Sequence, residues 1–241
     1  MLSHEQLKNN AKEYTRQAYK ILDPRLTTIR SNEEWLENLS SKEFIRLCSK
    51  FTVAQFLERD NFSKRWKSND AIYLSEFLYA LMQGYDAVKL ASDVQVGGSD
   101  QLFNLMAGRI LQREFNQDPQ VVMTLPILVG TDGKIRMSKS TGNFIGLEEP
   151  PNEMFGKIMS IPDNAVESYF KLLTSVSDDD FLKLTKAIDN KAMKKIDLKK
   201  KLAVEIITGL FSISEATQSE KYFEETFQKR NIPSIMNEYS L

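Results

Sequence analysis

Residues 74–130 alternate between helical and strand-like texture, and after the Pro150–Pro151 pair no strand-like run follows. That switch constrains the fold more than any other feature of the chain. "LSEFLYALMQGYDAVKL" (74–90) reads as one helix of about four turns. "DVQVGGSDQ" (93–101) reads as a strand that ends in a glycine pair, "QLFNLMAGRILQREF" (101–115) as a helix, and "VVMTLPILVG" (121–130) as another apolar strand. Upstream, Ser3 with Gln6 and Ser40 with Glu43 form capping boxes that open helices. "RLTTIR" (25–30) is short and β-branched and reads as a strand, "TVAQFLER" (52–59) continues the helical pattern, and 61–70 reads as charged and irregular. Beyond the prolines, helical segments run around 152–160, 163–174, 178–188, 193–211 and 214–228. The proline pair is the expected boundary. It separates a layered α/β region, residues 1–150, from an all-α region, 151–230, with 231–241 as a tail.

Composition narrows the chemistry. A chain of 241 residues, 41% hydrophobic and 27% charged, has the make-up of a soluble globular protein. Its formal net charge of −1 gives no global basic field, so any nucleic-acid contact has to be local. The single histidine, His4, and the single cysteine, Cys48, leave no set for a zinc site or for a Cys-His or Ser-His nucleophile. Cys48 sits in an amphipathic "FIRLCSKF" and reads as a buried, inert thiol in a reducing compartment. No apolar run approaches the ~20 residues that span a bilayer, and "MLSHEQLKNN" is not a signal peptide. The expectation is a cytoplasmic protein without a membrane segment or a metal site, working with carboxylates, amides, hydroxyls and cations.

Three stretches carry such chemistry. On the 74–90 helix, Tyr79, Gln83 and Asp86 fall at i, i+4 and i+7 and share one face. A phenol, an amide and a carboxylate there suit a small zwitterionic or hydroxylated ligand; they also suit a partly exposed helix face. In "VQVGGSDQ", Gly98 closes a strand end, where ligands of open α/β sheets sit and where a missing Cβ lets backbone approach closely. Asp100 and Gln101 begin the next helix, and an acid there is favoured by the helix dipole and can accept from a ribose hydroxyl. A plain N-cap on a glycine turn accounts for the same letters. In "GKIRMSKSTGN" (133–143), Arg136 and Lys139 offer cations on a polar, mobile loop that suits developing phosphate charge, or simply water.

Taken in order, YxxxQxxD on a helix, GGSDQ at a strand end and RMSKS after the next strand resemble the class I aminoacyl-tRNA synthetases, and more narrowly the bacterial-type tyrosyl-tRNA synthetases. "FLERDNFSKRW", "RILQREF" and "EEPPNEMFGKIMS" also look like that family, and "GGSDQLFN" looks like its tyrosyl rather than tryptophanyl version. The resemblance spans about residues 1–230. It implies a partial Rossmann-like nucleotide-binding domain with a connective segment, followed by a helical anticodon-side domain. It implies activation of tyrosine by ATP, taken as its Mg2+ complex, transfer to tRNA(Tyr), no tightly bound cofactor, and a homodimer. By position, Asp86 accepts from the tyrosine phenol, Tyr79 and Gln83 hold the ammonium group, and Gln101 lies by the carboxyl end. Gly98 and Asp100 take the ribose, and Lys139 stabilises the leaving pyrophosphate.

Arg136 departs from the pattern. It stands where the family often has Lys, keeping the charge but presenting a planar fork. The family's HxGH-like motif does not occur in these residues; His4 sits in "SHEQ". The expectation is therefore a fragment or shortened form, without the HIGH-motif segment and the C-terminal RNA-binding module, that does not by itself activate tyrosine at a useful rate. The alternative is a non-catalytic tRNA- or partner-binding module descended from a synthetase. The lysines at 191, 194, 195, 199, 200 and 201 fall in one short window and suit a salt-sensitive phosphate contact or a solvated face.

Overall fold

The computed structural model describes residues 3–229; the expected tail at 231–241 lies outside them. In chain order the helices and strands up to the loop are α1 (His4–Ala18), α2 (Glu33–Leu36), α3 (Ser41–Cys48), α4 (Val53–Leu57), α5 (Asp60–Lys67), α6 (Leu74–Leu90), β1 (Val94–Gly98), α7 (Leu102–Glu114) and β2 (Val121–Leu125). After it come α8 (Pro151–Ser160), α9 (Val166–Leu173), α10 (Asp178–Asp189), α11 (Lys195–Leu210) and α12 (Ile213–Phe223). The expected order, α/β and then all-α, is the order observed. The described residues form two compact units, 29–127 on one hand and 3–28 with 128–229 on the other.

In the 29–127 unit, β1 and β2 pair in parallel with α7 between them in sequence, in the register Val94↔Val121 to Gly98↔Leu125. Helix α7 lies against α6, and two glycines set how closely. A Cβ at Gly84 would stand 3.1 Å from the Ala107 carbonyl carbon, and one at Gly108 would stand 3.0 Å from the Ala87 Cβ. Apolar side chains close the rest: Trp35, Leu47, Tyr85, Val88 and Leu111 form one buried cluster, and Phe56, Phe62, Ala80 and Leu81 another. A buried amide network ties the strands to α7. Gln112 Nε2 donates to the Ser92 carbonyl at 2.9 Å, and its Oε1 accepts from the Gln120 backbone N–H at 2.8 Å. The opposite face of the ribbon is open. Val94, Val96, Val121, Met123 and Leu125 are each more than half exposed.

Two sequence expectations are corrected, and a third, the helical pattern at 52–59, holds with a fresh start. "RLTTIR" forms no strand: Asp23 caps a turn by accepting from the Arg25 N–H at 2.9 Å, and residues 27–30 join no β-ladder among the described residues, because β-branched composition yields a strand only beside a partner. Residues 61–70 are not irregular, since α5 runs Asp60–Lys67 and is anchored by Phe62, which is buried between the Arg59 and Arg65 guanidinium groups. "TVAQFLER" does not continue the preceding helix. Thr52 starts α4 anew with its own capping box to Gln55.

In the other unit, α8, α9, α11 and α12 bury Met154, Phe155, Ile158, Tyr169, Phe170, Leu202, Ile207 and Ala216 in one core. Pro151 fits the first position of α8, where its missing N–H costs nothing. Helix α1 joins through Arg16, which pairs with Glu148 at 2.7 Å, and Lys20, which donates to the Leu147 carbonyl at 2.9 Å. Three lysines of the basic window are paired within this unit, Lys195 with Asp163 at 3.2 Å among them. Lys199 donates to the Ile161 carbonyl at 2.6 Å and pairs with Asp163 at 2.9 Å, while Lys200 is buried against Glu224.

Candidate active site

The tyrosine-side candidates lie in the 29–127 unit. The close crossing at Gly84 brings α6 residue Gln83 within reach of Asn104, three residues into α7. Asn104 is buried, and its Nδ2 donates both to Gln83 Oε1 at 3.0 Å and to Gln101 Oε1 at 3.1 Å. One buried amide thus joins a residue of the helix face to a residue of the strand-end turn. Asp86 lies on the same face of α6 and is half-buried. Its Oδ1 accepts from the Trp35 indole N–H at 2.8 Å. Burial pushes its carboxyl above the usual aspartate range, against the pull of the hydrogen bonds from Trp35 and Asn32. Tyr79, one turn before Gln83, is mostly exposed.

Gly98 and Asp100 come together at the end of β1. The turn Ser99–Gln101 is 3-10 rather than α-helical, so α7 starts at Leu102, just after the Asp100 and Gln101 that the sequence suggests. Asp100 folds back over Gly98, where an added Cβ would lie 2.7 Å from its Oδ1 and 2.6 Å from Ile127 Cδ1. A Cβ at Gly98 would have to displace those two side-chain ends.

The loop that carries the phosphate-side candidates Arg136 and Lys139 belongs to the other unit and is tied more firmly than the sequence implies. Val129 and Arg136 form an isolated antiparallel bridge, and the Gly130 N–H donates to the Ile135 carbonyl at 2.8 Å. Asp132 accepts from the Lys134 and Ile135 N–H groups at 2.7 and 3.0 Å. These bonds, the Lys134 one above all, hold its carboxyl below the ordinary range. Asn143 is the knot. Its Nδ2 donates to Asp132 Oδ2 at 2.6 Å and to the Arg136 carbonyl at 3.2 Å, and its Oδ1 accepts from the Ser138 N–H at 2.9 Å and Thr141 Oγ1 at 2.7 Å. Tyr169 donates to the Val129 carbonyl at 2.9 Å from below; burial pushes its phenol up to about 12. On this frame Lys139 opens a single 3-10 turn, closed by Gly142 in the left-handed region at φ +73°, and is exposed, as is Arg136.

A family model described as tRNA synthetases class I (W and Y) matches residues 1–228. The chain belongs to that family. Among its relatives, the tyrosine–tRNA ligase of Thermotoga maritima is 47% identical over 236 residues, which is 98% of this chain and 59% of that protein. The tyrosine–tRNA ligase of Aquifex aeolicus is 47% identical over 232 residues, 96% of this chain and 58% of that one. The chain thus spans somewhat under two thirds of the length of these relatives. The fold agrees with solved synthetases. A tyrosyl-tRNA synthetase from Archaeoglobus fulgidus, complexed with L-tyrosine, superposes with a TM-score of 0.69 at 23% identity, covering 91% of this chain and 74% of that one. A C-terminally truncated mitochondrial tyrosyl-tRNA synthetase from Aspergillus nidulans gives 0.66 at 20% identity, covering 94% and 70%.

For a member of this family, sequence reading missed three residues that organise the site: Trp35, Asn104 and Asn143. Each is a partner of a residue that was singled out. Asn104 left one trace, an asparagine inside the apolar "LFNLMAG", where burial of an amide requires partners. Among the described residues no cluster of His, Cys, Asp and Glu is arranged to hold a metal ion, and no helix is long and apolar enough to cross a membrane.

Proposed function

We propose that this chain is the tyrosine-recognising and activating part of a tyrosine–tRNA ligase acting in the cytoplasm. The observation that carries the reading is the pair of glutamines, Gln83 from α6 and Gln101 from the end of β1, joined through one buried amide beside a half-buried carboxylate. The membership of the chain in the family and the naming of its relatives as tyrosine–tRNA ligases support it. Tyr79 and Gln83 hold the substrate ammonium, and Gln101 orients its carboxylate. Asp86 accepts from the phenol with a lone pair beyond the one given to Trp35. Gly98 and Asp100 take the ribose of ATP, which enters as its Mg2+ complex. The tyrosine carboxylate attacks the α-phosphorus, and the bond to the bridging oxygen breaks, leaving its electron pair on pyrophosphate. Lys139 and Arg136 stabilise that charge.

The boundary at the proline pair enters this proposal as well: residues 1–150 as catalytic body and connective segment, and 151–230 as the region that meets the anticodon side of tRNA(Tyr). The exposed Lys191, Lys194, Lys195 and Lys201 support the second half. A homodimer through 44–59 is supported by the exposed Ile45 and Val53.

Ligand-observed NMR with tyrosine, phenylalanine and tryptophan tests the reading. Tyrosine is expected to bind best. Asp86→Ala is expected to narrow its advantage over phenylalanine, since a hydrogen bond to a charged group contributes about 1.5–3 kcal/mol. Preference for tryptophan would point to the tryptophanyl version of the family, and binding of none of the three would leave the non-catalytic reading in its place.

A further inference from the structure

We infer that Asn104 is a positioning residue that sets the polarity of the amino-acid subsite by fixing which end of Gln101 faces the substrate; this rests on the reading of the site given above. Asn104 is 3% exposed, and both hydrogens of its Nδ2 are used, one to each glutamine Oε1, at 3.0 and 3.1 Å. A buried amide with a purely structural role is ordinarily saturated. Asn104 instead leaves its buried Oδ1 without a partner, while both its donors go to side chains assigned to the substrate.

The consequence follows from amide geometry. With the Oε1 of Gln101 turned towards Asn104, its Nε2 turns away from it. Gln101 then presents an N–H donor, which suits a carboxylate. Gln83 keeps the second lone pair of its Oε1, polarised by the Asn104 bond, and this suits an ammonium group. Were Asn104 to act as acceptor only, Gln101 would reverse and present a carbonyl oxygen to the substrate carboxylate. The orientation of one buried amide therefore decides whether the subsite accepts an α-amino acid or merely an amine. The crossing at Gly84 and Gly108 is what brings Asn104 within reach of α6.

The test compares L-tyrosine with tyramine, which lacks the carboxylate, by ligand-observed NMR on the full chain and on two variants. Asn104→Leu removes the anchor, and Asn104→Asp, nearly isosteric, replaces it with an acceptor only. The preference of the wild type for L-tyrosine over tyramine is expected to fall about tenfold in Asn104→Leu, the scale of one hydrogen bond to a charged group. It is expected to fall further in Asn104→Asp. Circular dichroism checks both folds; if the leucine variant does not fold, the aspartate variant decides alone. An equal loss for both ligands, or an unchanged ratio, overturns the assignment of Asn104 and leaves the site reading intact. A wild type that binds no tyrosine overturns the site reading, and this inference with it.

Discussion

Lys139 rides on a 3-10 turn whose backbone is held from behind by Asn143, so its cation is displayed by a frame rather than by a free strand of loop. Under the proposed function that charge meets the phosphate as negative charge develops there and makes no contact with the amino acid. In any preparation that supports tyrosine-dependent ATP–pyrophosphate exchange, Lys139→Ala is expected to lower the rate by ~10²–10³, the usual effect of deleting one well-placed donor. Tyrosine affinity should stay within about twofold. Collapse of tyrosine binding with a preserved exchange rate would contradict the role. At this scale the sequence discloses the residues that bear charge or hydrogen-bonding groups on ordered motifs. Their partners stay hidden. Gln83 and Asn104 are joined only because two helices cross at glycines, and Asp86 meets Trp35 across 51 positions of chain.

Helix α6 illustrates how an element carries a site. Its middle is pressed onto α7 at Gly84, where the nearest atoms are backbone and cannot swing aside. Gly84→Ala gains helix propensity of up to about 1 kcal/mol but must push α7 by a few tenths of an ångström. Gly84→Val is expected to lower stability by about 1–3 kcal/mol through overpacking and to weaken tyrosine binding as Gln83 and Asn104 separate. Chemical denaturation and the same NMR titration check both. The start of α6 has a different dependence. Glu76 accepts from the Tyr73 N–H at 3.0 Å and is gripped at two points by Arg65, which chiefly draws its carboxyl from the ordinary 4.5 to about 2. A folded value below the unfolded one means that this contribution is complete above pH 4.5 and drains away as pH falls towards about 2. Glu76→Gln should therefore melt earlier than wild type at neutral pH, and the gap between their melting temperatures should close through that window. A gap that stays constant to pH 2 would show that the ion pair does not contribute. Caps at Ser3 and Ser40 were legible because they are local. The strand expected at 25–30 failed for the opposite reason, since strands need neighbours that no short stretch reveals.

Across the whole molecule the sequence discloses the order of layers, α/β and then helical, because hydrophobic period survives any arrangement of partners. What it conceals is how much of each apolar surface finds cover. The 151–229 helices gather one core and leave only scattered residues such as Leu182, Ile213 and Phe227 exposed, whereas the β1–β2 ribbon packs α7 on one face and leaves Val94, Val96, Val121, Met123 and Leu125 together in solvent on the other. Parallel strands are ordinarily covered on both faces. A chain with such a stripe should stick to itself. Sedimentation velocity is expected to reveal association that grows with protein concentration, together with strong fluorescence of an apolar dye. Val96→Lys combined with Met123→Glu should suppress both while leaving α7 in place, and a wild type that stays monomeric and dark to the dye would refute the expectation. The same stripe would make the chain a ready client for chaperones that hold exposed β-structure.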